Sequence, residues 1–299
     1  MVRDRLPTYG GQAVIEGVMM RGRDSMAIAM RAPDRSIVIH TENLSGIYRS
    51  RIARIPFLRG VVMLWDALGL GMRALAISAN TQVKEEERVE GPQMVATMVL
   101  SLAFAVGLFF LLPAGLGHLT EQLLPPTRSN LVSWTGNLVE GLVRLLILIA
   151  YIWFIGRIPD IKRVFAYHGA EHKTINAFEA GAELSPESVK RFSLEHPRCG
   201  TAFLLTLIVL SILVFTLAGP LPLGWRLISR ILMIPILAGI AYEYIRWTAR
   251  SLDSALVKVL VKPNLALQRL TTREPDMEML EVSIAAFNAM RSGEKDRVL

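Results

Sequence analysis

The run MVATMVLSLAFAVGLFFLLPAGLG, residues 94–117, holds no charged side chain over 24 positions. A helix of roughly 20 apolar residues crosses the hydrocarbon core of a bilayer, so this stretch reads as a membrane span. Cys199 to Trp225 is a second uncharged run of sufficient length. Two further segments are apolar but interrupted: Leu131 to Ile155 carries Glu140 and Arg144, and Trp225 to Ile245 carries Arg226, Arg230 and Glu243. A lone charge facing lipid is costly, whereas Glu140 and Arg144, at i and i+4, pair with each other and turn toward neighbouring helices. These segments bring the expected spans to four. The Glu140–Arg144 pair reads as a brace for the bundle, with a transport role as the alternative.

Composition agrees, with 52% hydrophobic residues, 20% charged residues and a mean hydropathy of +0.39. Lys and Arg set the orientation. Nine Arg precede Pro56, seven Lys or Arg lie from Arg157 to Arg198, and eight follow Trp247. The His118 to Asn130 loop has only Arg128, and the Gly219 to Gly224 turn has none. Both termini and the central loop are therefore expected in the cytoplasm of a multi-pass cell-membrane protein. The net charge of +7 follows from that topology and favours the lipid bilayer and its anionic headgroups as partners, with no nucleic acid. The single Cys199 excludes an intramolecular disulfide and suits a reducing compartment. Met1 to Gly10 is charged and polar, so insertion is expected to begin with the first span.

The expected fold class is an α-helical polytopic membrane protein with a cytoplasmic α+β part that includes a small N-terminal antiparallel sheet. Residues 1–55 form the β-rich part. Ala13 to Met20, Ser25 to Arg31 and Ser36 to His40 read as a three-stranded meander, separated by the turns at Arg21–Asp24 and Ala32–Arg35. Glu16 falls within an apolar strand in this reading, where a carboxylate needs a metal or a nearby Arg. Residues 56–92 hold an interfacial helix, Phe57 to Ala79, with Arg59, Asp66 and Arg73 on one polar stripe, and then the charged linker Lys84 to Arg88. Residues 93–246 form the membrane region, and residues 157–198 within it form the central loop. Residues 247–299 form a helical tail, broken at Pro263 and resuming after Thr272-Arg273-Glu274-Pro275.

The central loop carries Tyr167-His168-Gly169-Ala170-Glu171-His172-Lys173 on a helix running from Asp160 to about Ala180. On a helix His168 and His172 lie one turn apart on one face, the reach that two ligands of one metal need. The pattern H-x-x-E-H is the inverted zincin arrangement, with the Glu as general base. His168, His172, Asn176 and Glu179 continue as one polar stripe, though Glu179, about 10 Å beyond His172, is too far to share its metal. Something else must complete the site. His196 with Cys199, and Glu243 at the cytoplasmic end of the fourth span, are the candidates. The plainer reading makes Glu243 an ion-pair partner of Arg246, and makes His196 and Cys199 interface residues.

Four motifs in order, Gly10-Gly11-Gln12-Ala13-Val14-Ile15-Glu16-Gly17-Val18-Met19-Met20-Arg21-Gly22, the histidine stretch, His196-Pro197-Arg198-Cys199-Gly200-Thr201 and Thr272-Arg273-Glu274-Pro275-Asp276, resemble the YqhQ-like bacterial membrane proteins. The resemblance implies a metal-dependent enzyme and names no substrate. The expected function is metal-dependent hydrolysis at the cytoplasmic membrane face, with Glu171 as base and His168, His172, His196 and Glu243 as ligands. Glu16, Glu179 and Cys199 are expected around the pocket. A divalent metal is implied, zinc first, with Mn or Fe also compatible. The alternative is a non-catalytic scaffold or regulator with a structural metal, and a transporter is the third reading.

Overall fold

The computed structural model describes residues 9–44, 52, 55–84, 91–124, 129–217 and 221–295. The N-terminal part is a four-stranded antiparallel sheet in sequential order: β1 Gly10–Val14, β2 Gly17–Arg21, β3 Ser25–Arg31 and β4 Ile37–Asn43. It has one strand more than the sequence predicts. The run Ala13 to Met20 folds back on itself at Ile15-Glu16, with Val14 paired to Gly17. Glu16 takes the turn with φ of +53°, so it is not a strand residue, and no Gly, Asn or Pro stands at the two turn positions to signal it. Gly17 is needed for packing, since a Cβ there would lie 2.9 Å from the Met30 Cα on β3.

Both faces of this sheet are covered, which is why β3 is buried along nearly its whole length. Val18, Met20, Ala27 and Ala29 pack with Tyr167, Ala170, Leu280 and Phe287, from α5 (Pro159–Glu179) and α10 (Met277–Lys295). Val14, Met19, Met26, Ile28 and Met30 face Leu70 and Ala74 of α1 (Leu58–Thr81). The first turn of α1 sits on α8 (Leu223–Arg250) through two glycines: a Cβ on Gly60 would lie 2.7 Å from the Gly239 Cα. The linker residues 85–88, and the loop residues 125–128 and 218–220, lie outside the described residues.

Among the described residues four helices are long and apolar enough to cross a membrane. The first is α2 (Pro92–Val106), continuing through a π-helical turn at Gly107–Leu111 into α3 (Leu112–Leu123). The others are α4 (Ser129–Ile155), α7 (Gly200–Leu217) and α8. Residues 118–123, expected as loop, are the end of α3. A short α6 (Pro186–Val189) follows α5, and α9 (Ala255–Thr271) precedes α10. Pro263 lies inside α9 and does not break it, because a proline removes one helical N–H and a helix packed against α7 and α4 tolerates that loss. Asp276 starts α10, accepting the Met279 N–H on Oδ1 at 2.8 Å, a side-chain cap.

Candidate metal centre

Helix α5 begins at Pro159 with Asp160 in its first turn, and Gly181, at φ +72°, closes it. Its buried stretch runs from Tyr167 to Ile175 apart from the half-buried His168. One side meets β1 and α10, and the other meets the chain before α7 and after α9. Gly169 makes this second approach possible. A Cβ there would overlap the Arg273 carbonyl oxygen and lie 2.8 Å from Leu194 Cδ2. The Arg273 N–H donates to the Phe165 carbonyl at 2.9 Å, holding the strand-like segment after α9 against the helix.

That approach decides how the imidazoles are held. His168 Nδ1 donates to the Thr271 carbonyl at 2.9 Å, and His172 Nδ1 to the Leu194 carbonyl at 2.5 Å. His196 Nδ1 lies 2.9 Å from Asn176 Oδ1. The Asn176 amide donates from Nδ2 to the Ser193 and Glu195 carbonyls at 2.9 and 3.1 Å, so its oxygen faces the ring and His196 is also the donor. Gln268 pins His196 further, accepting its backbone N–H at 3.0 Å and donating to its carbonyl at 2.9 Å. In each of these three rings Nδ1 is therefore the donor, and Nε2 is the nitrogen left to accept or to bind a cation.

Two of these rings meet a thiol, and His196 stands beside them without joining the group. The rings of His168 and His172 are 4.4 Å apart and those of His172 and His196 are 5.6 Å apart. Cys199 Sγ is 3.2 Å from His168 Nε2 and 3.0 Å from Thr201 Oγ1. Ligand atoms of His168, His172 and Cys199 all lie within 4.8 Å of one another. The Nε2 atoms of His172 and His196 are buried with no partner among the described residues. Burial and the neighbouring Arg198 and imidazoles push the His196 pKa well down, which keeps this ring neutral.

Glu171 is buried beside the histidines, with Oε2 unpartnered. Burial pushes its pKa up to about 7, against the opposing pull of His168 and of the Gly11 backbone N–H that bonds to it. Gly11 must be a glycine for β1 to reach the carboxylate, since a Cβ there would come 2.9 Å from Glu171 Cδ. The sheet thus covers this side of the cluster.

The other expected site residues are engaged elsewhere. Glu243 pairs with Arg59, whose Nε is 2.6 Å away, and accepts the Phe57 N–H at 3.1 Å, so α1 claims it rather than Arg246 or the histidines. Glu16 is gripped by Arg163 at 2.5 and 2.6 Å and by the Tyr167 hydroxyl at 3.3 Å. Glu179 pairs with Arg198. The motif reading missed the acceptors, Thr271 and Leu194, because they act through backbone carbonyls. It also missed buried Lys173, whose Nζ ties together the Lys190 and Phe192 carbonyls and Glu274 at 2.7, 2.9 and 2.8 Å.

A helical protein with four apolar helices of membrane-crossing length, a small antiparallel sheet and a largely buried His/His/Cys cluster is the class that these features define. The chain belongs to the family described as Protein of unknown function (DUF1385), matched by residues 55–292. It is 36% identical over 304 residues to "Uncharacterized protein YqhQ" of Bacillus subtilis (strain 168), covering 95% of this chain and 92% of that protein. No solved structure matches it.

Proposed function

We propose that the protein is a metal-dependent hydrolase set at the polar surface of a membrane. The supporting observation is the group of His168, His172 and Cys199, in which both imidazoles donate from Nδ1 to backbone carbonyls and so keep Nε2 free for a cation beside the thiol, with His196 held by Asn176 next to them. Buried acceptors with no donor are costly, and a cation removes that cost. His168 Nε2, His172 Nε2 and the Cys199 thiolate would hold the ion, and two imidazoles with a thiolate suit zinc over Mn or Fe. A divalent ion in this place supplies Lewis acidity. Glu171, with a free oxygen beside His168, takes the proton of the attacking group. Half-buried His168 leaves the approach from solvent.

A second reading is favoured by His196: if its unpartnered Nε2 is a fourth ligand, the site is closed, and the metal fastens the chain before α7 to α5 in a scaffold. Metal analysis and X-ray absorption on the purified full chain separate the two. Three protein ligands, with Glu171→Gln retaining metal while losing hydrolysis of an ester and phosphoester panel, support the enzyme. Four protein ligands with no hydrolysis support the scaffold. Full metal occupancy in a His168→Ala, His172→Ala double variant refutes both. In this proposal the site faces the cytoplasm together with both termini, following the Lys and Arg asymmetry, and the exposed Lys258 and Lys262 of α9 meet anionic headgroups there.

A further inference from the structure

Another concentration of buried charge lies between α3, α4, α7 and α8. Glu140 is shared by two arginines: Oε1 accepts from Arg144 Nη2 at 2.9 Å and Arg230 Nε at 3.0 Å, and Oε2 from Arg230 Nη2 at 2.9 Å. Arg230 also donates to Asn137 Oδ1 at 2.9 Å, and Arg144 Nε donates to the Phe109 carbonyl in the π-helical turn at 2.9 Å. One turn before Arg230, Arg226 pairs with Glu121 through Nη2. The two carboxylates belong to one group, because Gly117 lies against Glu140 and Gly136 against Glu121 where α3 and α4 cross.

The charges in this group do not balance. Among the described residues Arg144, Arg226 and Arg230 pair with only two carboxylates, Glu121 and Glu140, and residues 92–155 and 199–242, which hold these helices and the loops that join them in pairs, contain no other Asp or Glu. Arg226 is 0% exposed, and its Nε and Nη1 have no acceptor among the described residues. An unpaired buried guanidinium edge costs several kcal/mol, more in a bilayer than in a soluble core. Arg226 is the fourth residue of α8, about 5 Å into the helix, at the end of the bundle away from the histidines. Exposed Trp225 and Trp134 stand at this end, as aromatic side chains do at headgroup level. The positive end of the α8 dipole adds to the attraction for an anion.

We propose that this end of the bundle encloses one phosphate group, from an anionic phospholipid or as free phosphate, accepting from Arg226 Nε and Nη1 and neutralising the surplus charge. Because Arg226 is enclosed, the ligand is held tightly and accompanies the protein through purification. The proposal is independent of the metal reading.

The test uses the full chain. Phosphorus analysis and native mass spectrometry of detergent-purified protein should show about one retained phosphate-bearing molecule per chain, falling at least tenfold in Arg226→Gln. After stripping, thermal melting is followed with inorganic phosphate at fixed ionic strength and, separately, in nanodiscs with or without phosphatidylglycerol. Stabilisation by phosphatidylglycerol alone assigns a lipid source, and stabilisation by inorganic phosphate assigns free phosphate. In both cases Arg226→Gln should not respond. If that variant fails to fold, Arg226→Lys, which keeps the charge, should retain the ligand with weakened stabilisation. No retained phosphorus and no response to either probe would overturn the proposal, as would an Arg226→Gln variant that responds like the wild type.

Discussion

Replacing Gly169 by Ala adds one methyl group to the middle of α5, and two opposite expectations meet there. Helix propensity alone favours alanine over glycine by about 1 kcal/mol in a helix interior. The packing forbids it: the new Cβ would overlap the Arg273 carbonyl oxygen, lie 3.3 Å from the Arg273 carbonyl carbon and 2.8 Å from Leu194 Cδ2. Backbone has to give, and overpacking of this kind costs roughly 1–3 kcal/mol. The net expectation is a loss of up to about 2 kcal/mol, read as a melting temperature a few degrees lower at roughly 2–4 °C per kcal/mol. The segments that must move carry both carbonyls holding the imidazoles, Thr271 for His168 and Leu194 for His172. Metal affinity should therefore drop about 10- to 100-fold, the usual effect of disturbing the groups behind metal ligands. Melting curves and competitive metal titration on the purified chain measure both. Gly115→Ala in α3, where a Cβ meets nothing within 4 Å, is the control expected to stabilise or leave melting unchanged. A Gly169→Ala protein as stable as the wild type, with unchanged metal affinity, would refute the claim that this glycine sets the imidazole geometry.

Glu16 offers a pH test: the Arg163 hydrogen bonds hold its carboxyl below the ordinary value of 4.5, against the opposing effect of burial. Its contribution, about 1 kcal/mol for a partly exposed charge-assisted pair, is present above pH 4.5 and is lost as pH falls through the depressed value. Glu16→Gln should then be less stable than wild type at neutral pH, and the two melting curves should meet in acid; a constant gap counts against the pair. Asp276→Ala should cost about 1 kcal/mol by removing the cap on the Met279 N–H, with metal content unchanged. Single cysteines placed in residues 182–195 should be protected from an impermeant thiol reagent added to intact cells, and labelling there would refute the cytoplasmic placement.

The helices were legible because uncharged runs of some 20 residues have few alternative readings, and the Glu140–Arg144 pairing because i,i+4 spacing is local. The imidazole pair was legible for the same reason. Glu243 shows where spacing stops: its carboxylate is claimed by Arg59, 184 residues away, through the close packing of Gly60 on Gly239. Ranking by residue chemistry placed Glu243 ahead of Cys199 as a ligand. The fold brings Cys199 to His168 because the cysteine immediately precedes α7 and α7 starts beside α5.

The β1–β2 hairpin shows the same limit from the other side. From its sequence Ala13 to Met20 reads as one strand through Glu16, because it is continuously apolar but for that residue and the two turn positions carry no glycine or asparagine. What stabilises a left-handed glutamate there is long-range: Arg163 and Tyr167, on the helix that carries the histidines, hold its carboxylate. The hairpin tip is thus anchored to α5 one turn before His168, while the Gly11 end of β1 bonds to Glu171. A single strand therefore touches the site helix at both of its ends, so any change that loosens the Glu16 anchor should also loosen the cover over Glu171. Hydrogen exchange makes this coupling measurable: Glu16→Gln should raise exchange at the Gly11 amide as well as around residues 15–17. Exchange that rises only at the turn would show that the two ends of β1 are held independently.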